Sequence, residues 1–195
     1  MKKPFFYAGL VLPIIGMALS GAASILNRGN YNSLQHPTSN LVHLQYGWLQ
    51  TAAPGVSGIG FALLGLAIFS NIKRRTKAPL LVVLFGLLFS LETIFHSDWD
   101  QNHPTTLHGR LHIMLFGIGI MALMVGVIWF GLAMRKFNST LAWYSLLTVL
   151  VSVVGFIGVF TLNNATGIMQ QVTFVPLVLW VEALAIYTHF KKRAL

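Results

Sequence analysis

The chain contains no cysteine in its 195 residues. That removes disulfides, thiolate metal sites, iron–sulfur clusters and cysteine nucleophiles from consideration. It is nearly as poor in negative charge: Asp and Glu together number 4, and charged residues of both signs make up 9% of the chain. A soluble domain carries about 25%, so a surface facing water on all sides is excluded. Disorder is excluded from the other direction, because 55% of residues are hydrophobic and 12% aromatic. The 18 Gly and 7 Pro follow no collagen-like period.

What the chain has in quantity is long apolar sequence, with a mean hydropathy of +0.72. A bilayer crossing needs about 20 mainly apolar residues. Six stretches qualify, at about 5–26, 54–72, 79–96, 111–134, 141–162 and 172–190. The expected fold class is all-α, a polytopic six-helix membrane bundle forming a single transmembrane domain over residues 1–195. The first stretch follows Lys2 and Lys3 and has the position of a signal peptide. Its length and the central Pro13 argue for retention as a span.

The net charge of +9 sits in short clusters between the apolar stretches, not in a patch interleaved with aromatics. Nucleic acid is therefore not an expected partner; membrane lipids are. Lys2, Lys3, Lys73, Arg74, Arg75, Lys77, Arg135, Lys136, Lys191, Lys192 and Arg193 fall on one side of a six-span topology, and only Arg28 and Arg110 on the other. The positive-inside rule predicts that both termini are cytoplasmic, in a plasma (inner) membrane. Three loops, at about 27–53, 97–110 and 163–171, then face outward. The first contains Leu41, Leu44 and Trp48 at helical spacing, which predicts a surface helix over about 38–50. A second span extended backwards and kinked at Pro54 is the alternative. The segment His36–Asn40 is expected to be a solvated loop, or else to fold over the following hairpin.

Three of the four acidic residues and four of the seven histidines lie between Glu92 and His112. Charged side chains near a bilayer are costly and seldom accidental. Glu92 and His96 are four apart at the end of the third span, and His108 and His112 four apart at the start of the fourth. Each pair would share a helix face. Opposed faces would gather His96, His108 and His112 as ligands for zinc (Zn2+) or a similar divalent ion. Glu92, Asp98 or Asp100 would then serve as general base for a metal-bound water. Ser39 and Asn40 are further contact candidates, and Arg110 is a partner for Asp98 or Asp100. The competing expectation is that these groups neutralise one another and fix the hairpin. Glu182 lies near the middle of the sixth span with no Lys or Arg at its depth. It is expected to act as a proton relay or as a base for the outer site, or to bond a buried polar group. The Met and Phe residues are read as core or lipid-facing.

The motif at Pro37, Ser39 and Asn40, the aspartate Asp98 after the third span, and His108-Gly109-x-x-His112 resemble an uncharacterised family of six-span prokaryotic membrane proteins, domain of unknown function nine-nine-eight. The family's Phe-Pro-x-Asp is here Phe95-His96-Ser97-Asp98, so a family-wide role for His96 is not implied. The resemblance implies the fold and no activity. A looser chemical likeness links Ser39, Asp98, His108 and His112 to the Ser, Asp and His residues of the alkaline ceramidase and adiponectin-receptor-like zinc hydrolases. Three functions are compatible with these residues: a metal-dependent hydrolase of a lipid or acyl bond, a non-enzymatic bundle (accessory subunit, immunity or lipid-binding protein), and a small proton-coupled transporter.

Overall fold

A computed structural model describes residues 3–72, 76–100 and 103–190. Lys2, Lys73, Arg74, Arg75, Lys191, Lys192 and Arg193, part of the basic pattern above, lie outside these residues, and so does the side chain of Lys3. The described residues are helical throughout their regular elements: α1 (Lys3–Leu26), α2 (Gly47–Ile72), α3 (Pro79–Leu91), α4 (Leu107–Met134), α5 (Ser139–Thr161) and α6 (Thr166–Phe190). Five of these are long and apolar enough to cross a membrane; α3 is a shorter apolar helix.

Local chemistry sets several of the ends. The Thr106 hydroxyl accepts from Gly109 N (3.0 Å) and caps α4, and Asn138 Oδ1 accepts from Leu141 N (3.0 Å) and caps α5. Pro79 opens α3 at a position where its missing N–H costs nothing.

Helix α2 packs against α1, α3 and α6, while α4 bridges α3 and α5, and α5 pairs with α6. Without a hydrophobic drive between helices in lipid, such contacts rest on close van der Waals fit. Gly58 and Gly86 provide it between α2 and α3: a Cβ on Gly58 would meet the Gly86 carbonyl oxygen, and one on Gly86 the Ala62 nitrogen and the Gly58 carbonyl oxygen. Gly16 plays the same part between α1 and α2, facing Ser57 and the Ala53 carbonyl. Below these contacts runs one buried core from Phe6 to Ala185, with Trp180, Phe130, Phe85 and Phe61 as its largest members.

Two expected elements differ. The surface helix over 38–50 is not present. A short 3-10 helix covers Thr38–His43, and residues 47–53 belong to α2, which continues through Pro54. The third span does not run to residue 96: α3 ends at Leu91, after 13 residues. At 1.5 Å per residue that is about 20 Å, well short of the roughly 30 Å hydrocarbon core. Residues 92–95 form tight turns instead, with i→i+3 bonds such as Ile94 N to Leu91 O (2.9 Å).

Candidate functional site

A helix that stops early leaves carbonyls without helical donors, and non-helical backbone at membrane depth persists only where protein satisfies it. Here side chains do so at alternate residues. His112 Nδ1 donates to the Phe95 carbonyl (3.0 Å), His43 Nε2 to Ser97 O (2.8 Å), and Asn40 Nδ2 to Trp99 O (3.0 Å). Ser97 Oγ returns a bond to Ser39 O (3.1 Å). A carbonyl only accepts, so the ring nitrogens that face Phe95 and Ser97 carry protons. The segment 37–43 is thereby stitched over the hairpin, and Ser39, Asn40 and Leu41 are buried. The solvated loop is overturned in favour of its alternative. The same segment reaches α6, where Gln170 Oε1 accepts from Thr38 N (2.9 Å) and Thr38 Oγ1 (3.1 Å).

Under this cover the missing turns of α3 leave a cavity of about 290 Å³. Thr38, Ser39 and Val42 line its roof, and Gly16 and Met17 of α1, Gln50 and Ser57 of α2, His112 and Phe116 of α4, and Gln170 and Phe174 of α6 its sides, with Glu92, His96 and Ser97 on the short-helix side. Phe89 and Phe174 also line it, with ring centroids 5.3 Å apart. Phe61 and Phe85 continue this aromatic group deeper into the bundle.

Glu92 is 6% exposed and Gln50 likewise 6%. Neither Glu92 Oε1 nor Gln50 Oε1 has a hydrogen-bond partner. Glu92 Oε2 stands 3.8 Å from His112 Nδ1, too far for a hydrogen bond, and that nitrogen's proton is directed to Phe95. Such unmet groups are rare in native interiors and call for an explanation.

This arrangement does not bring the expected metal ligands together. Among the described residues no three His, Asp or Glu side chains come together as a group able to hold a metal ion. His96 left the Glu92 helix face when α3 ended early. It is exposed, with Nε2 3.2 Å from Thr93 O. His108 is exposed, its ring tilted against Phe95 at 5.7 Å. Only His112 is buried, and its Nδ1 is committed to a carbonyl. Among the described residues, His96, His108 and His112 thus do not converge as a zinc ligand set.

Asp98 is bound up in the start of α4. Asp98 Oδ2 accepts from Thr105 N (2.7 Å) and Thr106 N (2.9 Å), and Oδ1 from the Thr106 hydroxyl (2.6 Å). Gly109 is required beneath it, since a Cβ there would meet the Asp98 carboxylate at 2.5 Å. Asp98 and Gly109 of the resemblance motif thus lock the start of α4. The Thr106 hydroxyl, then the backbone N–H groups, hold the Asp98 carboxyl below its usual 3.8. A lowered folded value means stabilisation that is complete above 3.8 and lost as pH falls through the lowered value. Asp98→Asn is expected to melt at lower temperature than wild type at pH 7, the gap closing in acid. Gly109→Ala should reproduce the neutral-pH loss in the same melting series.

Asp100 pairs with the adjacent exposed His103 (Nδ1 to Oδ2, 3.2 Å). Arg110 bonds neither expected aspartate in the contacts seen; its Nε donates to Pro104 O (3.3 Å). Glu182 does not line the cavity. It lies twelve residues beyond Gln170 along α6, about 18 Å of rise, so it cannot serve as a base there.

Gln50 and Gln170 are the site residues that the sequence reading missed. A polar residue in the first turn of an otherwise apolar helix was the available signal. The apolar pattern obscures it, because it puts Gln50 at the end of a surface helix and Gln170 in an outward loop.

The class of protein defined by these features is a multi-pass, all-helical membrane protein with a partly polar cavity at one end of its bundle. Within that class, the chain belongs to the family described as Protein of unknown function (DUF998), which matches residues 8–187. No curated protein and no solved structure matches it.

Proposed function

We propose that the protein binds a small amphipathic molecule in this cavity, within the outer leaflet of a plasma membrane, and that it does so without a metal. The observation that carries this reading is a cavity of about 290 Å³ with mainly apolar walls, into whose lining two buried oxygens, Glu92 Oε1 and Gln50 Oε1, are placed without partners. Apolar walls with a few convergent polar groups are the usual make-up of a small-molecule site. The outer placement rests on the sequence alone, in which eleven of thirteen basic residues fall on the other side of a six-span topology. Both termini are then cytoplasmic.

A lipid or acyl hydrolase of the zinc type would need three ligands around an open position, which the described residues do not supply. A proton-coupled transporter would need a polar route between Glu92 and Glu182. The Phe61, Phe85, Phe89 and Phe174 rings occupy the bundle below the cavity.

The test is native mass spectrometry of the protein released from lipid nanodiscs, beside Val42→Trp, which fills the cavity from its roof. A retained amphiphile in the wild type, lost in a Val42→Trp protein of unchanged melting temperature, is the expected result. Equal retention by both would refute cavity binding. Zinc measured on the same preparation is expected to be substoichiometric, and unaltered by His108→Ala with His112→Ala.

A further inference from the structure

The cavity is unbalanced in its hydrogen-bonding chemistry. Two oxygens of its lining, Glu92 Oε1 and Gln50 Oε1, are buried without a hydrogen-bond partner. His112 spends its Nδ1 proton on Phe95 O, which leaves Nε2 of the neutral ring as an acceptor. The Gln170 oxygen in the same lining is already taken by Thr38. No Lys or Arg is found among the lining residues described. A buried carboxyl normally has a cationic or donor partner; here Glu92 Oε1 has none, and Oε2 has only the His112 ring at 3.8 Å, beyond hydrogen-bond reach.

We infer that the ligand supplies the missing partner, and that it is a hydrophobic primary amine: an ammonium group seated among Glu92, Gln50 and His112, with its alkyl part against Phe89, Phe116 and Phe174. An ammonium brings three donors and no acceptor, which matches three acceptors, and its charge would hold the Glu92 carboxyl in the ionised form. The aromatic rings favour a cation over their faces as well. A phosphate-bearing headgroup is disfavoured, because no cation lines the site to receive it. This inference rests on the cavity-binding reading above and adds the chemical class of the ligand.

The experiment measures binding of four ten-carbon probes to the full chain in nanodiscs: decylamine, decyltrimethylammonium, decanol and decanoate. Each is scored as a melting-temperature titration against Glu92→Gln, a near-isosteric change, and Gln50→Leu. Decylamine is expected to bind best. Decanol should be about tenfold weaker for want of charge, and decyltrimethylammonium similarly weaker for want of N–H donors. Decanoate should not bind. Glu92→Gln should reduce decylamine to the level of decanol while leaving decanol unchanged, and Gln50→Leu should weaken both. Decanoate or decanol binding as tightly as decylamine would overturn the amine assignment and leave the cavity reading standing. The same holds for a decylamine response that survives Glu92→Gln. A folded wild type that responds to none of the four would overturn both readings.

Discussion

Gly86→Val is expected to separate α2 from α3 and to cost about 2–3 kcal/mol, at the upper end of what overpacking usually costs. The reason is the identity of what the new side chain would meet. A Cβ on Gly86 would lie 2.5 Å from the Ala62 nitrogen and 2.5 Å from the Gly58 carbonyl oxygen. These are backbone atoms on a helix held from three sides, so no rotamer change can make room. Chemical unfolding in mixed micelles would give the free energy. Gly117→Ala is the internal control, because nothing lies within 4 Å of its added carbon, and it should stay within about 0.5 kcal/mol of wild type. The effect should also reach the cavity. Gln50 lies eight residues before Gly58 on α2, and Glu92 six after Gly86 on the antiparallel α3. The close glycine crossing therefore sets the distance between the two unpartnered oxygens, and amphiphile retention should fall in Gly86→Val.

The second large effect is expected at Trp180, which is 1% exposed. Its ring meets Phe130 edge to face at 5.4 Å, and Nε1 donates to Ser145 Oγ at 2.9 Å. Ser145 in turn donates to Leu141 O (2.8 Å). In lipid the transfer term for an apolar side chain largely vanishes, so the loss comes from the unfilled volume and from the abandoned hydroxyl. Trp180→Ala is expected to cost about 3 kcal/mol from the cavity, with about 1 kcal/mol more from Ser145 losing its donor. Trp180→Phe keeps most of the packing and should recover more than half of the difference in the same unfolding assay. If Trp180→Ala were neutral, α6 could not be held to α4 and α5 by the contacts described.

These residues show how unevenly the structure was legible. All six helices lie where apolar stretches stand in the sequence, and their polar ends are visible there too. The concentration of titratable groups between Glu92 and His112 correctly marked the part of the chain with unusual structure. The role of those groups was not legible. His112 reads as a metal-ligand candidate because nothing in the local pattern marks Leu91 as the end of α3. Once α3 ends there, the carbonyls of Phe95, Ser97 and Trp99 need donors, and His112, His43 and Asn40 provide them. Asp98 read as a catalytic carboxylate because its three donors follow it by seven and eight residues, a spacing with no helical meaning.

The sequence alone determined that this chain is a multi-pass helical membrane protein and that its polar chemistry gathers in one short segment. Both are consequences of a solvent that penalises every unburied polar group, so they are written residue by residue along the chain. Only the tertiary structure decided that this segment forms a cavity wall. That outcome depends on which donors reach which freed carbonyls, and on which oxygens none reaches. The donors come from residues 40, 43 and 112, brought to 95–99 by packing that no local pattern encodes.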